Sequence, residues 1–130
     1  MTQPGSQPPQ PALQTAGLLF ACIAVWISWA SIRHLGKQLR VHAGLYADHE
    51  LVRSGPYSIV RHPIYAGMLA IYLATALVRQ SWILAAIGFV LFLIGTEIRV
   101  RLEDNLLASR FGKQFEEYKA STPAYAPFVR

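Results

Sequence analysis

Three apolar runs alternate with polar chain. The first, Leu13 to Ile32, is twenty residues without a charged side chain and includes Leu18, Leu19, Phe20, Ile23, Val25, Trp26, Ile27 and Trp29. At 1.5 Å per residue that length crosses a hydrocarbon core of roughly 30 Å, and Trp26 and Trp29 near its end suit an interfacial belt. The second run, Pro63 to Val78, and the third, from Gln80 to Thr96, are separated by Arg79. Each is short for a lone span, which snorkelling ends and local thinning accommodate. The pattern predicts a tight helical hairpin turning at Arg79-Gln80, with a half-penetrating hairpin as the alternative. Ala66, Gly67, Ala70, Ala74, Gly88 and Gly95 would let helices approach closely.

Polar chain fills the rest. Met1 to Pro11 is rich in Pro and Gln, carries no charged side chain and reads as disordered. It lacks a basic n-region, so the run from Leu13 does not read as a cleaved signal. Arg33 to Arg40 reads as a short interfacial helix and His42 to Arg61 as a structured polar loop. From Glu97 to Ser121, apolar marks at Leu102, Leu106, Leu107, Phe111, Phe115 and Tyr118 fit one or two amphipathic helices, with a break at Gly112. Pro123 and Pro127 end the chain extended. The expected fold is therefore an all-α integral membrane protein. A disordered tail over 1–12 precedes a single domain over 13–130, with three transmembrane helices near 13–32, 63–78 and 80–97 and amphipathic C-terminal helices over 99–121.

Charge turns this pattern into a topology. The 130 residues carry a net charge of +5, and with three spans eleven of the twelve Lys and Arg residues fall on one side, Arg79 alone on the other. Two spans, or four, would divide them. The positive-inside rule then places the N-terminus outside and the loop and tail in the cytoplasm of a multi-pass protein of the inner or plasma membrane. The excess charge lacks the aromatic-laced basic helix expected of a nucleic-acid binder. The single cysteine, Cys22, forms no internal disulfide framework, and no Cys/His cluster has zinc spacing, so no metal site is expected.

The polar groups concentrate at Gly55 to Gly67, at the mouth of the second apolar run. Pro63 suits the first position of a helix, since the N–H it lacks would be unpaired there. Arg61, His62 and Tyr65 then stand at a helix N-terminus near the membrane surface, where free N–H groups and the helix dipole favour an anion such as an amino-acid carboxylate. An interfacial anchor made of the same residues is the competing reading. Topology brings Glu97, Arg99, Arg101, Glu103 and Asp104 to the same face, with Arg99 and Glu103 one turn apart. Clustered ionisable groups at a membrane boundary point to a site, though composition and spacing name no reaction.

Arg61-His62-Pro63-Ile64-Tyr65-Ala66-Gly67, then Arg99-Val100-Arg101-Leu102-Glu103-Asp104-Asn105-Leu106-Leu107, then Phe111-Gly112-Lys113-Gln114-Phe115-Glu116-Glu117-Tyr118 resembles the isoprenylcysteine carboxyl methyltransferase family, itself close to the phospholipid N-methyltransferases. The family pattern reads G-[PV]-Y, RHPxYxG, R-x-x-x-E-E-x-x-L and F-G-x-x-Y-x-x-Y, and the match runs from about His42 to Pro127. Asp104 stands where a second Glu is usual and Phe115 where the first Tyr is usual. The single span before the hairpin is fewer than family members often have, and a homo-oligomer could supply the missing wall.

The resemblance implies a site for S-adenosylmethionine lined by His49, Glu50, Leu51, Val52, Tyr57, Arg61, His62, Pro63, Ile64 and Tyr65. Glu103 would close it and His42 would add a further contact. Arg99 would face the substrate, and Arg99 and Glu103 would carry the chemistry. The acceptor implied is a lipophilic small molecule or a lipidated protein reached from membrane lipid, methylated on the carboxyl of a prenylcysteine-like acid. Two rival chemistries stay open. A phospholipid or other amine N-methyltransferase would use Glu103 or Asp104 as a base. An NADPH-dependent reductase of the sterol type carries a related RHP-N-Y motif, in which Ile64 here replaces the Asn. A non-enzymatic protein that keeps the scaffold is the third rival.

Overall fold

The computed structural model describes residues 8, 10–36 and 51–126 of the chain, and His42, His49 and Glu50 lie outside the described residues. Within these the protein is helical, with no β-strand. Helix α1 covers Pro11–Leu35, a short 3₁₀ turn covers Gly55–Ser58, and α2 covers Pro63–Arg79, α3 Trp82–Phe111 and α4 Lys113–Ser121.

Proline opens α1 at Pro11 and α2 at Pro63, as its fixed φ favours. Glycine closes α1 at Gly36 and α3 at Gly112, both at positive φ, where a side chain would be strained. The α2–α3 turn falls at Gln80, which adopts φ 54° without being glycine. Its buried side chain offsets the strain by accepting from the Gln10 N–H at 3.3 Å, which ties the start of α1 to the end of α2.

Helix α1 starts two residues before the expected span and runs three beyond it. A larger difference concerns α3. The expected third span and the start of the C-terminal helices are one unbroken helix of 30 residues, about 45 Å long. No glycine or proline interrupts 96–111, and Glu97–Arg101 and Arg99–Glu103 form i,i+4 ion pairs along it. Only α4 is a separate C-terminal helix, and the break is at Gly112.

The antiparallel pair α1–α2 is the tightest contact. A Cβ on Gly17 would lie 2.7 Å from Val78 Cγ2 and 3.0 Å from the Ala74 carbonyl, and one on Gly67 would strike Ser28 Oγ. Helices α2 and α3 are also antiparallel but stand further apart, bridged by Tyr72. Its ring stacks on Phe92 at 5.8 Å between centroids and its hydroxyl donates to the Ala85 carbonyl beside Gly88. Gly95 has open space where a Cβ would be and is no approach point among the described residues.

Helices α1 and α3 are long and apolar enough to cross a membrane, and α2 is a shorter apolar helix of 17 residues. Leu18, Leu19, Val25 and Trp26 on α1 and Ile83, Leu84, Leu91 and Ile94 on α3 are all more than half exposed. A stripe this large would be costly against water and is expected against lipid. On α3 the uninterrupted apolar stretch ends at Thr96, and Glu97 to Glu103 stand beyond it.

Candidate active site

The His62-Pro63 step shapes the site. A residue before proline is driven out of the helical region, and His62 sits at φ −126° and ψ 65° as the residue preceding α2. Its side chain does not cap the helix. It reaches α3 instead, with Nε2 2.8 Å from Asp104 Oδ1 and Nδ1 3.3 Å from Glu103 Oε2. An imidazole with a carboxylate on each nitrogen is best satisfied as the cation that donates from both. Burial alone would lower the His62 pKa, but the bonds to Asp104 and Glu103 and their charges outweigh it, so the net direction is upward. For Glu103 and Asp104, burial is the largest single influence and raises the pKa, but the bond and charge of His62, joined by Tyr65 and Arg99 at Glu103 and by Arg61 at Asp104, together outweigh it and leave both below the usual carboxylate range.

Arg61 is almost fully buried. One terminal nitrogen donates to the carbonyls of Lys119, at 3.3 Å, and Thr122, and the other meets Asp104 Oδ2 at 3.1 Å. A guanidinium at the end of α4 satisfies carbonyls that have no partner in the helix and suits the negative end of its dipole. Its Nε is buried without a hydrogen-bond partner. Arg61 is thus spent on closing α4 onto the motif.

Tyr65, in the first turn of α2, donates to Glu103 Oε1 at 2.7 Å. Arg99 approaches the Tyr65 hydroxyl with Nε at 3.4 Å and Glu103 Oε1 at 3.5 Å, with its side chain 46% exposed. Arg61, His62, Glu103 and Asp104 balance in charge when His62 is protonated. The unbalanced cation is Arg99, at the open edge where the apolar part of α3 ends.

The remaining expected residues divide. Tyr57 is buried and its carbonyl accepts from the Tyr118 hydroxyl. Burial raises the pKa of both phenols, that of Tyr118 to about 12, so both keep their protons. Pro63 is fully buried, Ile64 is half-buried, and Leu51 and Val52 are half-buried in the irregular chain before the 3₁₀ turn.

Sequence reasoning counted Asp104 in the polar cluster and as a base only in the rival amine reading, and left two further features out of the site. Asp104 is its hub, holding Arg61 and His62 together; its position beside Glu103 in the motif was the signal. Tyr118 anchors the turn that carries Tyr57. The segment after α4 also belongs here, because the N–H groups of Arg61 and His62 donate to the carbonyls of Pro123 and Ala124 at 2.8 and 2.7 Å. Among the described residues no group of three or more His, Cys, Asp or Glu side chains could hold a metal ion.

The phospholipid methyltransferase family model matches residues 13–114, which takes in all but the first two residues of α1, the site turn, α2 and the whole of α3. The chain belongs to the phospholipid methyltransferase family. Relatives within reach of this family carry different names. The protein-S-isoprenylcysteine O-methyltransferase B of Arabidopsis thaliana is 37% identical over 82 residues, covering 62% of this chain and 41% of that protein. The protein-S-isoprenylcysteine O-methyltransferase of Schizosaccharomyces pombe is 26% identical over 118 residues, covering 89% of this chain and 50% of that one. The cobalt-zinc-cadmium resistance protein CzcN of Cupriavidus metallidurans is 33% identical over 118 residues, 90% of this chain and 50% of its own. The chain thus spans about half the length of these curated relatives.

Proposed function

We propose that the protein is a membrane methyltransferase that uses S-adenosylmethionine to methylate the carboxylate of a lipophilic, prenylcysteine-like acceptor. The observation that carries this reading is the Tyr65–Glu103–His62–Asp104 network at the start of α2 with Arg99 left at its open edge.

The residues present fit the cofactor. The first turn of α2 has no side-chain cap, so the N–H groups of Ile64 and Tyr65 suit its carboxylate. Glu103, half-buried and held ionised, suits its ammonium or ribose hydroxyls, and Tyr57 and Tyr65 provide aromatic wall. His42, His49, Glu50, Leu51 and Val52 complete the lining in this reading. When bound, S-adenosylmethionine supplies a methyl group on a sulfonium, open to displacement by a nucleophile. The chain's part is to align the two partners and keep water out.

Arg99 would hold the acceptor carboxylate, with a two-pronged contact available to its guanidinium. A carboxylate nucleophile needs no general base, and the site offers a poor one. Both Asp104 oxygens are committed to Arg61 and His62, and Glu103 and Asp104 are held below the usual carboxylate pKa. This supports O-methylation over transfer to an ammonium, which must first lose a proton.

In the same reading α1, α2 and α3 all span the bilayer, with the N-terminus outside and the site at the cytoplasmic face. Reconstituted protein supplied with methyl-labelled S-adenosylmethionine tests the function. Label in a base-labile methyl ester of a farnesylcysteine-type acid is the expected result. Label in phosphatidylethanolamine instead would favour the amine reading, and turnover of neither would overturn the acceptor assignment.

A further inference from the structure

Beyond α4 the chain turns back over the site. Ala124 is fully buried and Tyr125 is 5% exposed, and with Val100 of α3 they form a small core against which Tyr65 and Leu93 pack. The Tyr125 hydroxyl donates to Glu97 Oε1 at 2.8 Å. Burial and then the Glu97 bond raise the Tyr125 pKa to about 12, so the hydroxyl remains a donor. The backbone bonds from Arg61 and His62 to Pro123 and Ala124 fix the same segment to the motif. Tyr65 is therefore held from two sides, its hydroxyl by Glu103 and Arg99 and its ring by the core that Tyr125 builds.

We propose that residues 122–126 form a wall of the active site and that Tyr125, latched to Glu97, is a positioning residue that sets the Tyr65 hydroxyl against Glu103 and Arg99. This deepens the methyltransferase reading and rests on it. Neither residue touches the reacting groups. Tyr125 acts through the packing behind Tyr65, and Glu97 acts by fixing Tyr125. Glu97 lies on α3 away from Arg99, with its second oxygen 3.7 Å from Arg101.

The test uses the full chain in detergent micelles and calorimetric titration with S-adenosylhomocysteine. Tyr125→Phe keeps the ring and loses one charge-assisted hydrogen bond, and it should weaken binding about fivefold to tenfold. Glu97→Ala, which removes the acceptor, should do the same, and the double variant should lose no more than either alone. In a Tyr65→Phe background the Tyr125→Phe effect should vanish, because the hydroxyl it positions is gone. A purely structural role would give equal losses in both backgrounds and would overturn the proposal, as would unchanged affinity in Tyr125→Phe. Hydrogen exchange at the Arg61 and His62 amides separates the latch from the function. If the wild type bound no S-adenosylhomocysteine, the methyltransferase reading would fall. The latch would still be supported by faster exchange in Tyr125→Phe and refuted by unchanged exchange.

Discussion

Removing the Asp104 carboxylate tests the logic of the site at its hub. Asp104 is 9% exposed and accepts from Arg61, itself 3% exposed, and from His62, 5% exposed. In Asp104→Asn both cations lose their main counter-charge in a buried place. Breaking a buried pair from one side costs about 3–5 kcal/mol. His62 can escape part of this by giving up its proton, whereas the guanidinium of Arg61 cannot. The expected loss is therefore at the lower end, about 3 kcal/mol, or roughly a hundredfold in the folding equilibrium. Asp104→Glu keeps the charge, so His62 should keep its raised pKa, and the cost should be that of fitting one extra methylene, about 1–3 kcal/mol. The assay is reversible unfolding in mixed micelles followed by helical circular dichroism, alongside NMR titration of His62. Asp104→Asn should also bring the His62 pKa down towards or below its ordinary value. An Asp104→Asn protein within about 0.5 kcal/mol of wild type, with His62 titrating as before, would refute the hub.

Other consequences can be checked in the same preparations. The His62 pKa is raised on folding, so its contribution is complete below about pH 6.5 and is lost as pH rises through the raised value. The Glu103 and Asp104 pKa values are lowered, so theirs is complete above about pH 4.5 and is lost on acidification. Stability should therefore be greatest between those limits, and His62→Gln should flatten the alkaline side of an unfolding-versus-pH curve. Arg99→Ala should leave unfolding unchanged while abolishing transfer to a carboxylate acceptor; a stability loss matching Asp104→Asn would contradict its placement at the open edge. Gly17→Val forces a side chain into the α1–α2 contact and should cost about 1–3 kcal/mol in unfolding. Gly95→Ala meets open space and should instead gain about 0.5–1 kcal/mol from helix propensity.

Much of the fold was legible because membrane chemistry writes plainly. Uncharged runs, Pro63 at a helix start and Gly112 at a helix break each have one dominant physical meaning, and the helices begin and end close to them. The continuity of α3 was harder to read. A change from apolar to charged composition at Glu97 resembles a boundary, yet backbone hydrogen bonding is indifferent to that change, and only glycine, proline or a cap would have ended the helix. The motif brought His62, Tyr65, Arg99 and Glu103 together as expected from a hairpin. What stayed hidden depends on side-chain direction. Arg61 looks like an anion binder in sequence but is claimed by the end of α4, and Tyr125, far along the chain from Tyr65, leaves no local pattern to announce the contact.

The central claim is that these residues make a site for S-adenosylmethionine, and binding tests it most directly. Purified protein in micelles should bind S-adenosylhomocysteine saturably, one per chain, lose that binding in Glu103→Gln and in Tyr65→Ala, and show none for NADPH. Well-folded protein that ignores S-adenosylhomocysteine, or binds NADPH in its place, would contradict the account.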